Sequence, residues 1–214
     1  MYIPQSFAER DQQVVYDFME QHPLATLITS AKGLYATHLP LLVDRERGLL
    51  EGHIARANPH HRDMAPGSEA LVIFNGPDAY ITPQWYASKK EHGRVVPTWN
   101  YASVHVYGTV TFVDDAEYLR GKLEALTTRH EAAREQPWHV SDAPAEYIER
   151  QLAAIVGVQV AIARVEGKWK MSQNRSAADI EGVVRGLTSE PSEVVRQVGA
   201  IVAARRPVRD DRVT

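Results

Sequence analysis

Cysteine is missing altogether from these 214 residues. No disulfide, no thiol nucleophile and no zinc–thiolate site can therefore be built. Glycines occur in neither of the usual phosphate-binding arrangements, GxGxxG or GxxxxGKS/T, so a nucleotide-like ligand would have to be held by other means. A Gly-x-Ser-x-Gly elbow is also missing, and with it the usual support for serine nucleophilic catalysis. None of the nine histidines falls in an HExxH-type pattern. His53, His60 and His61 are close in sequence, and His38 or His105 could join them from other strands, but no native metal site is expected. No apolar run is long enough to span a bilayer, so no membrane partner is expected. The opening MYIPQSFAER lacks a basic segment followed by an apolar run, so no signal peptide is expected either. Positive charge is not in excess: 24 Lys and Arg against 27 Asp and Glu leave a net charge of -3. That balance argues against a generally basic nucleic-acid binder.

The rest of the composition, 44% hydrophobic and 24% charged, is that of a globular chain able to bury one good-sized core. A cysteine-free chain is compatible with a cytoplasmic location. The most informative stretch is Phe74 to Gly108, FNGPDAYITPQWYASKKEHGRVVPTWNYASVHVYG. It holds Trp85 and Trp99, two of the four tryptophans, together with Tyr80, Tyr86, Tyr101 and Tyr107. Rings with polar tips, crowded between two strand-like runs, suit a flat, partly polar ligand or a subunit seam.

Along the chain, Ser6 and Glu9 give a capping-box pattern that predicts a helix from about Phe7, ended by Pro23. Short β-type runs follow: Leu24–Thr29, a turn at Ala31-Lys32-Gly33, Leu34–Val43, a turn through Asp44–Gly48, and Leu49–Ala55. Glu69–Asn75 and Ala79–Thr82 are expected as two strands joined at Gly76-Pro77. Thr98–Val113 is expected as one long, bent or bulged strand. Helices are expected over about Ala116–Ala133 and Ala145–Ala154, then a strand over Val156–Met171 that can bend at Gly167. The pattern is helical from Ser176, and the final RRPVRDDRVT is polar and expected to fray. Successive short strands with helices inserted late predict a mainly β, mostly antiparallel barrel with flanking helices.

Three places carry candidate chemistry. Thr37 and His38 interrupt an otherwise apolar strand. The segment GHIARANPHHRDM ends a strand in Asn58, His60, His61 and Arg62, where Arg62 or Arg56 could fork onto a phosphate. A solvated Asn-Pro loop is the plainer alternative for that segment. In KWKMSQNRS, lysines give way to Ser-Gln-Asn-Arg, with Ser172 placed to cap the next helix and Lys170 and Arg175 adding charge. A simple cap on a surface helix accounts for that piece equally well. No carboxylate–histidine pair stands out as an acid–base couple, and no catalytic residue is assigned.

Taken together, MYIPQSF, THLPLLVD, GHIARANPHHR, FNGPDAYITPQWYASK, VPTWNYASVHVYG and KWKMSQNR resemble, in this order, the PaiB-type FMN-binding negative transcriptional regulators. The resemblance runs from Met1 to about Leu187. It implies an antiparallel FMN-binding split β-barrel over residues 1–187, followed by a C-terminal helix and polar tail over 188–214. It also implies a homodimer with FMN at the subunit interface. Thr37, His38, His53, Ile54 and Ala55 would then flank the flavin ring and ribityl chain, with Asn58, His61 and Arg62 near the phosphate. Trp85, Trp99 and Asn100 would come close to the ring face or the dimer seam, and Lys170, Gln173, Asn174 and Arg175 would close the site. Transcriptional repression and DNA as a partner follow from the resemblance alone, since no helix-turn-helix is evident. The alternative is an FMN-dependent oxidoreductase acting on a small molecule.

Overall fold

A computed structural model describes residues 1–30, 33–62 and 64–206. Among them the strands are β1 (Ala8–Glu9), β2 (Leu24–Thr29), β3 (Tyr35–Pro40), β4 (Leu42–Asp44), β5 (Leu49–Ala55), β6 (Ser68–Ile81), β7 (Thr98–Val113) and β8 (Ile155–Lys170). The helices are α1 (Gln12–Gln21), α2 (Ser88–His92), α3 (Ala116–Glu131), α4 (Ala145–Ala153), α5 (Ala177–Ser189) and α6 (Glu193–Ala204). The strands form one eight-stranded sheet in the order β3-β2-β6-β7-β8-β5-β4, with β1 also paired to β8. The pairs β1–β8, β2–β3, β2–β6, β4–β5 and β5–β8 are all antiparallel. Period-2 patterning explains why these segments choose strands: in β2, Ala25, Leu27 and Thr29 are buried while Leu24 is exposed.

Three expectations change at this level. No helix starts at Phe7. Gln5–Phe7 is a 3-10 turn, Ala8–Glu9 pairs with Gly167 and Lys168, and the helix begins at Gln12. Glu9 accepts a hydrogen bond from the Asp11 amide, and Asp11 accepts one from the Gln13 amide, so Asp11 performs the capping expected of Ser6. The run Leu34–Val43 divides at Leu41, whose amide donates to Pro23 O, leaving β3 on β2 and β4 on β5. Glu69–Thr82 is not two strands but one, β6. Its pairing with β2 ends at Ile73, so Pro77 removes no donor from that ladder. The helical pattern expected from Ser176 is present as α5 and α6, with Pro191 between them. Ala31 and Lys32 of the expected turn, and 207–214 of the expected tail, lie outside the described residues.

The chain divides into two compact units. The first comprises Met1–Val15, Asn75–Val104 and Glu166–Thr214, and the second Tyr16–Phe74 and His105–Val165. In the second, Leu27, Leu39, Leu50, Val72 and Val158 are buried by the strands, and Leu119, Ile148 and Leu152 join α3 to α4. Each such aliphatic side chain contributes about 1.5–3 kcal/mol by leaving water. One charge is buried with them. Glu51 is 2% exposed, and it accepts hydrogen bonds from Lys122 Nζ at 2.5 Å, Gln159 Nε2 at 3.1 Å and Tyr118 Oη at 3.4 Å. In the first unit, Ile180, Val183 and Leu187 of α5 and Val198 and Val202 of α6 are buried. Trp85 lies directly on α5: a Cβ at Gly182 would come within 1.9 Å of Trp85 O, and one at Gly186 within 2.2 Å of the indole. Only glycine permits that approach.

Candidate functional site

In the second unit the polar interruption of β3 has a definite partner. Asn58 opens a 3-10 turn, Pro59–His61, by accepting the His60 amide at 2.9 Å, and this drives the His60 ring inward to 1% exposure. His60 Nε2 lies 2.8 Å from Thr29 Oγ1, and Nδ1 lies 2.8 Å from Thr37 Oγ1. The surrounding donors assign the tautomer. Thr37 accepts from Asn58 Nδ2 at 3.1 Å and keeps its own proton to offer to Nδ1. Thr29 donates to Met64 Sδ at 3.5 Å, so it accepts from a protonated Nε2. Burial holds the His60 pKa below the ordinary value, which favours the neutral ring that this arrangement suits. Tyr35 stacks on the ring at 5.4 Å, and Phe112 lies tilted at 5.9 Å.

Around this network stand the other candidates of the same unit. His61 Nδ1 is 2.7 Å from Asn58 O, with its ring edge-on to Phe112. Arg62 is exposed, and among the described residues its guanidinium has no side-chain partner. Arg56 is committed elsewhere: it forks onto Asp114 at 2.7 and 2.6 Å and donates to the carbonyls of Ala153 at 2.7 Å and Ile155 at 2.9 Å. Of the two arginines proposed for a phosphate, only Arg62 is available. His38 is exposed and reaches Thr26 Oγ1 at 2.9 Å. Ile54 is buried and Ala55 exposed at the end of β5. His53 is half-buried, its Nδ1 has no hydrogen-bond partner, and burial lowers its pKa.

The remaining candidates belong to the first unit. Asn100, Lys170, Asn174 and Arg175 line one pocket, together with Phe7, Tyr86, Thr98 and Ser172. Lys170 Nζ donates to Thr98 Oγ1 and to Trp99 O. Burial, then the nearby charges of Lys168 and Arg175, push its pKa down. Trp99 itself is 54% exposed and meets Tyr80 edge-on at 6.0 Å. Beside it, Trp99, Tyr101, Ala102, Asn75, Gly76 and Asp78 surround an open cleft of about 400 Å³. Gln173 turns back on its own loop, accepting from the Met171 amide at 2.7 Å and donating to Trp169 O at 2.6 Å. Trp85 lies outside the pocket, against the α5 glycines. Ser172 does not cap α5; Ser176 does, accepting the Asp179 amide at 3.2 Å. Ser172 instead takes a left-handed conformation, φ 66°, and its hydroxyl meets the Asn100 amide at 3.0 Å.

Residues the sequence did not single out for these sites are Thr29, Thr98, Tyr86 and Ser172 in its actual role. Thr29 and Thr98 carried no signal, being ordinary strand residues. The Tyr86 ring was visible in the aromatic cluster, but not that its hydroxyl would be buried without a partner. Among the described residues no three His, Asp or Glu side chains are grouped to hold a metal ion.

Residues 1–164 match the family described as "Putative FMN-binding domain". The chain is 30% identical to the protease synthase and sporulation protein PAI 2 of Bacillus subtilis, with 94% of this chain and 96% of that protein covered. It is 32% identical to an uncharacterized protein of Aspergillus fumigatus, covering 99% and 100% of the two chains. Among solved structures, the FAD and heme binding protein of Mycobacterium smegmatis superimposes with a TM-score of 0.60 at 21% identity, covering 84% of this chain and 80% of that one. At that identity the last likeness is one of fold.

Proposed function

Given that the chain belongs to the PaiB-type family of FMN-binding split barrels, we propose that it works as a cytoplasmic homodimer whose bound FMN serves a negative regulator of transcription. The family match across residues 1–164 carries the reading. The residues present suit the cofactor. Arg62 offers an unengaged guanidinium to the phosphate, Asn58 and His61 stand beside it, and His53 Nδ1 is a buried nitrogen in need of a partner. The Thr29–His60–Thr37 network holds the loop that presents Asn58 and Arg62, so that loop is preorganised for the flavin. FMN supplies redox chemistry when bound, and the chain supplies the grip and the orientation.

One observation favours the second reading, an FMN-dependent oxidoreductase. Of the four arginines of the terminal segment that could have faced DNA, three are paired with carboxylates, Arg185 with Glu181, Arg196 with Glu193 and Arg205 with Glu9, while Arg206 is exposed. Flavin titration of the purified chain, followed by NAD(P)H, separates the two. Binding of FMN without bleaching supports the regulator, and rapid bleaching supports the reductase. Failure to bind FMN overturns both. Gel filtration is expected to give a dimer, and a monomer at micromolar concentration would remove the shared-site arrangement.

A further inference from the structure

The pocket between the end of β8 and the start of β7 is lined in part by Asn100, Lys170, Asn174 and Arg175, which the resemblance places about the flavin, but its size and its charges define a smaller ligand. Two cations, Lys170 and Arg175, line it. Neither lies within ion-pair distance of a carboxylate among the described residues. Asp179 feels the charge of Arg175 without forming an ion pair with it, and is engaged by the Ser88 amide at 2.9 Å and the Ser88 hydroxyl at 2.8 Å. Arg175 instead lies over the Tyr86 ring, 4.6 Å from its centroid.

Tyr86 supplies an independent observation. It is 2% exposed, and its hydroxyl, beside the donor-only guanidinium of Arg175, finds no acceptor among the described residues. A buried donor without a partner is uncommon and marks a place where something else belongs. Asn100 and Ser172 add neutral polar groups on the same wall, fixed to each other at 3.0 Å. The space measures about 50 Å³, several times what one ordered water needs and far below the ~300 Å³ of a cofactor-sized cavity. A ring system does not fit there; a group of a few heavy atoms does.

We propose that this pocket is a receptor for one oxyanionic group, a phosphate or a carboxylate, held by Lys170 and Arg175 and completed by the Tyr86 hydroxyl. Two cations supply charge-assisted hydrogen bonds, and the buried hydroxyl gains the acceptor it lacks. The proposal stands on the geometry of this pocket and not on the flavin.

Calorimetric titration of the full chain with inorganic phosphate tests it, on flavin-free protein and on protein saturated with FMN. Binding is expected in both, with Kd raised about tenfold or more by Lys170→Met and by Arg175→Gln. Tyr86→Phe keeps the ring packing, so it reports even where Lys170→Met fails to fold, and it is expected to weaken phosphate binding without lowering Tm. Phosphate that binds only flavin-free protein, and is displaced by FMN but not by riboflavin, supports the oxyanion site and names the flavin's own phosphate as its source. No phosphate binding by the wild type, or a Kd unchanged in all three variants, overturns the proposal. A chain that binds phosphate here but binds no FMN would defeat the functional reading above and leave this pocket standing.

Discussion

The side-chain amide of Asn100 donates to the hydroxyl of Ser172 at 3.0 Å, across 72 positions of sequence, and both residues are buried. The bond ties the start of β7 to the loop after β8 and holds Ser172 at φ 66°, a conformation that L-residues seldom adopt. Asn100→Ala leaves the serine without this partner and is expected to cost about 1–3 kcal/mol, lowering Tm by roughly 3–10 °C in calorimetry. Ser172→Gly is expected to cost less than Ser172→Ala, because glycine takes the left-handed backbone without steric penalty. Equal losses for the two would show that the backbone at this position is unstrained.

Arg62 and Arg56 make opposite predictions although six positions apart. Arg62→Ala removes an unengaged guanidinium and is expected to weaken FMN by about 1.5–3 kcal/mol, some tenfold to a hundredfold in Kd, with little change in Tm. Arg56→Ala breaks the fork onto Asp114 and the bonds to two carbonyls, so Tm should fall while the affinity of the folded protein for FMN stays. Flavin fluorescence titration alongside thermal melts reads both. The reverse pattern would move the phosphate to Arg56.

Acid should unfold this chain through its histidines as well as its carboxylates. Burial lowers the pKa of His22, His53 and His60 from the ordinary value of 6.5. In that circumstance the unfolded chain binds protons that the folded chain refuses, so their contribution is complete above about pH 6.5 and declines as pH falls below it. Chemical denaturation between pH 7 and 5 is expected to show this decline, shallower in His60→Gln. An unchanged slope in that variant would exclude His60 as a contributor.

The seat of Trp85 on α5 tolerates no side chain beneath it. Gly186→Ala places a methyl 2.2 Å from the indole, which forces the ring or the helix to move. The expected cost is about 1–3 kcal/mol, read as a fall in Tm and as faster amide exchange along α5. A variant as stable as the parent would mean that the ring rotates freely away.

What could be read beforehand was whatever depends on local pattern. Alternation in Leu24–Thr29 and in Thr98–Val113 gave strands, and the Asn58-Pro59 pair gave a break where a 3-10 turn stands. Failures came where a distant partner overrode the local preference. The Ser6 and Glu9 pattern favours a helix, yet Ala8 and Glu9 find backbone partners on β8, about 160 positions away. Pro77 looks like a strand end until the register with β2 shows that its missing donor lies beyond that ladder. At the candidate sites residue type was visible but commitment was not. Arg56 and Arg62 look alike in the sequence, and only the position of Asp114 separates them. Ser172 was read as the cap of the next helix, whereas Ser176 caps it and Ser172 is bonded to Asn100.

Glu51 has a consequence for anyone who would trim or recombine this chain. Its carboxylate lies in the interior, where Lys122 of α3 pairs with it at 2.5 Å and Arg47 stands farther off at 3.6 Å. Loss of the closer counterion leaves a buried charge poorly compensated, at a cost of up to about 3–5 kcal/mol, so α3 is no detachable ornament on the sheet. Grafts, fusions and chain breaks should respect that tether: the exposed stretch 132–139 can be opened, whereas a cut between β5 and Lys122 that loses the helix should leave an insoluble remainder.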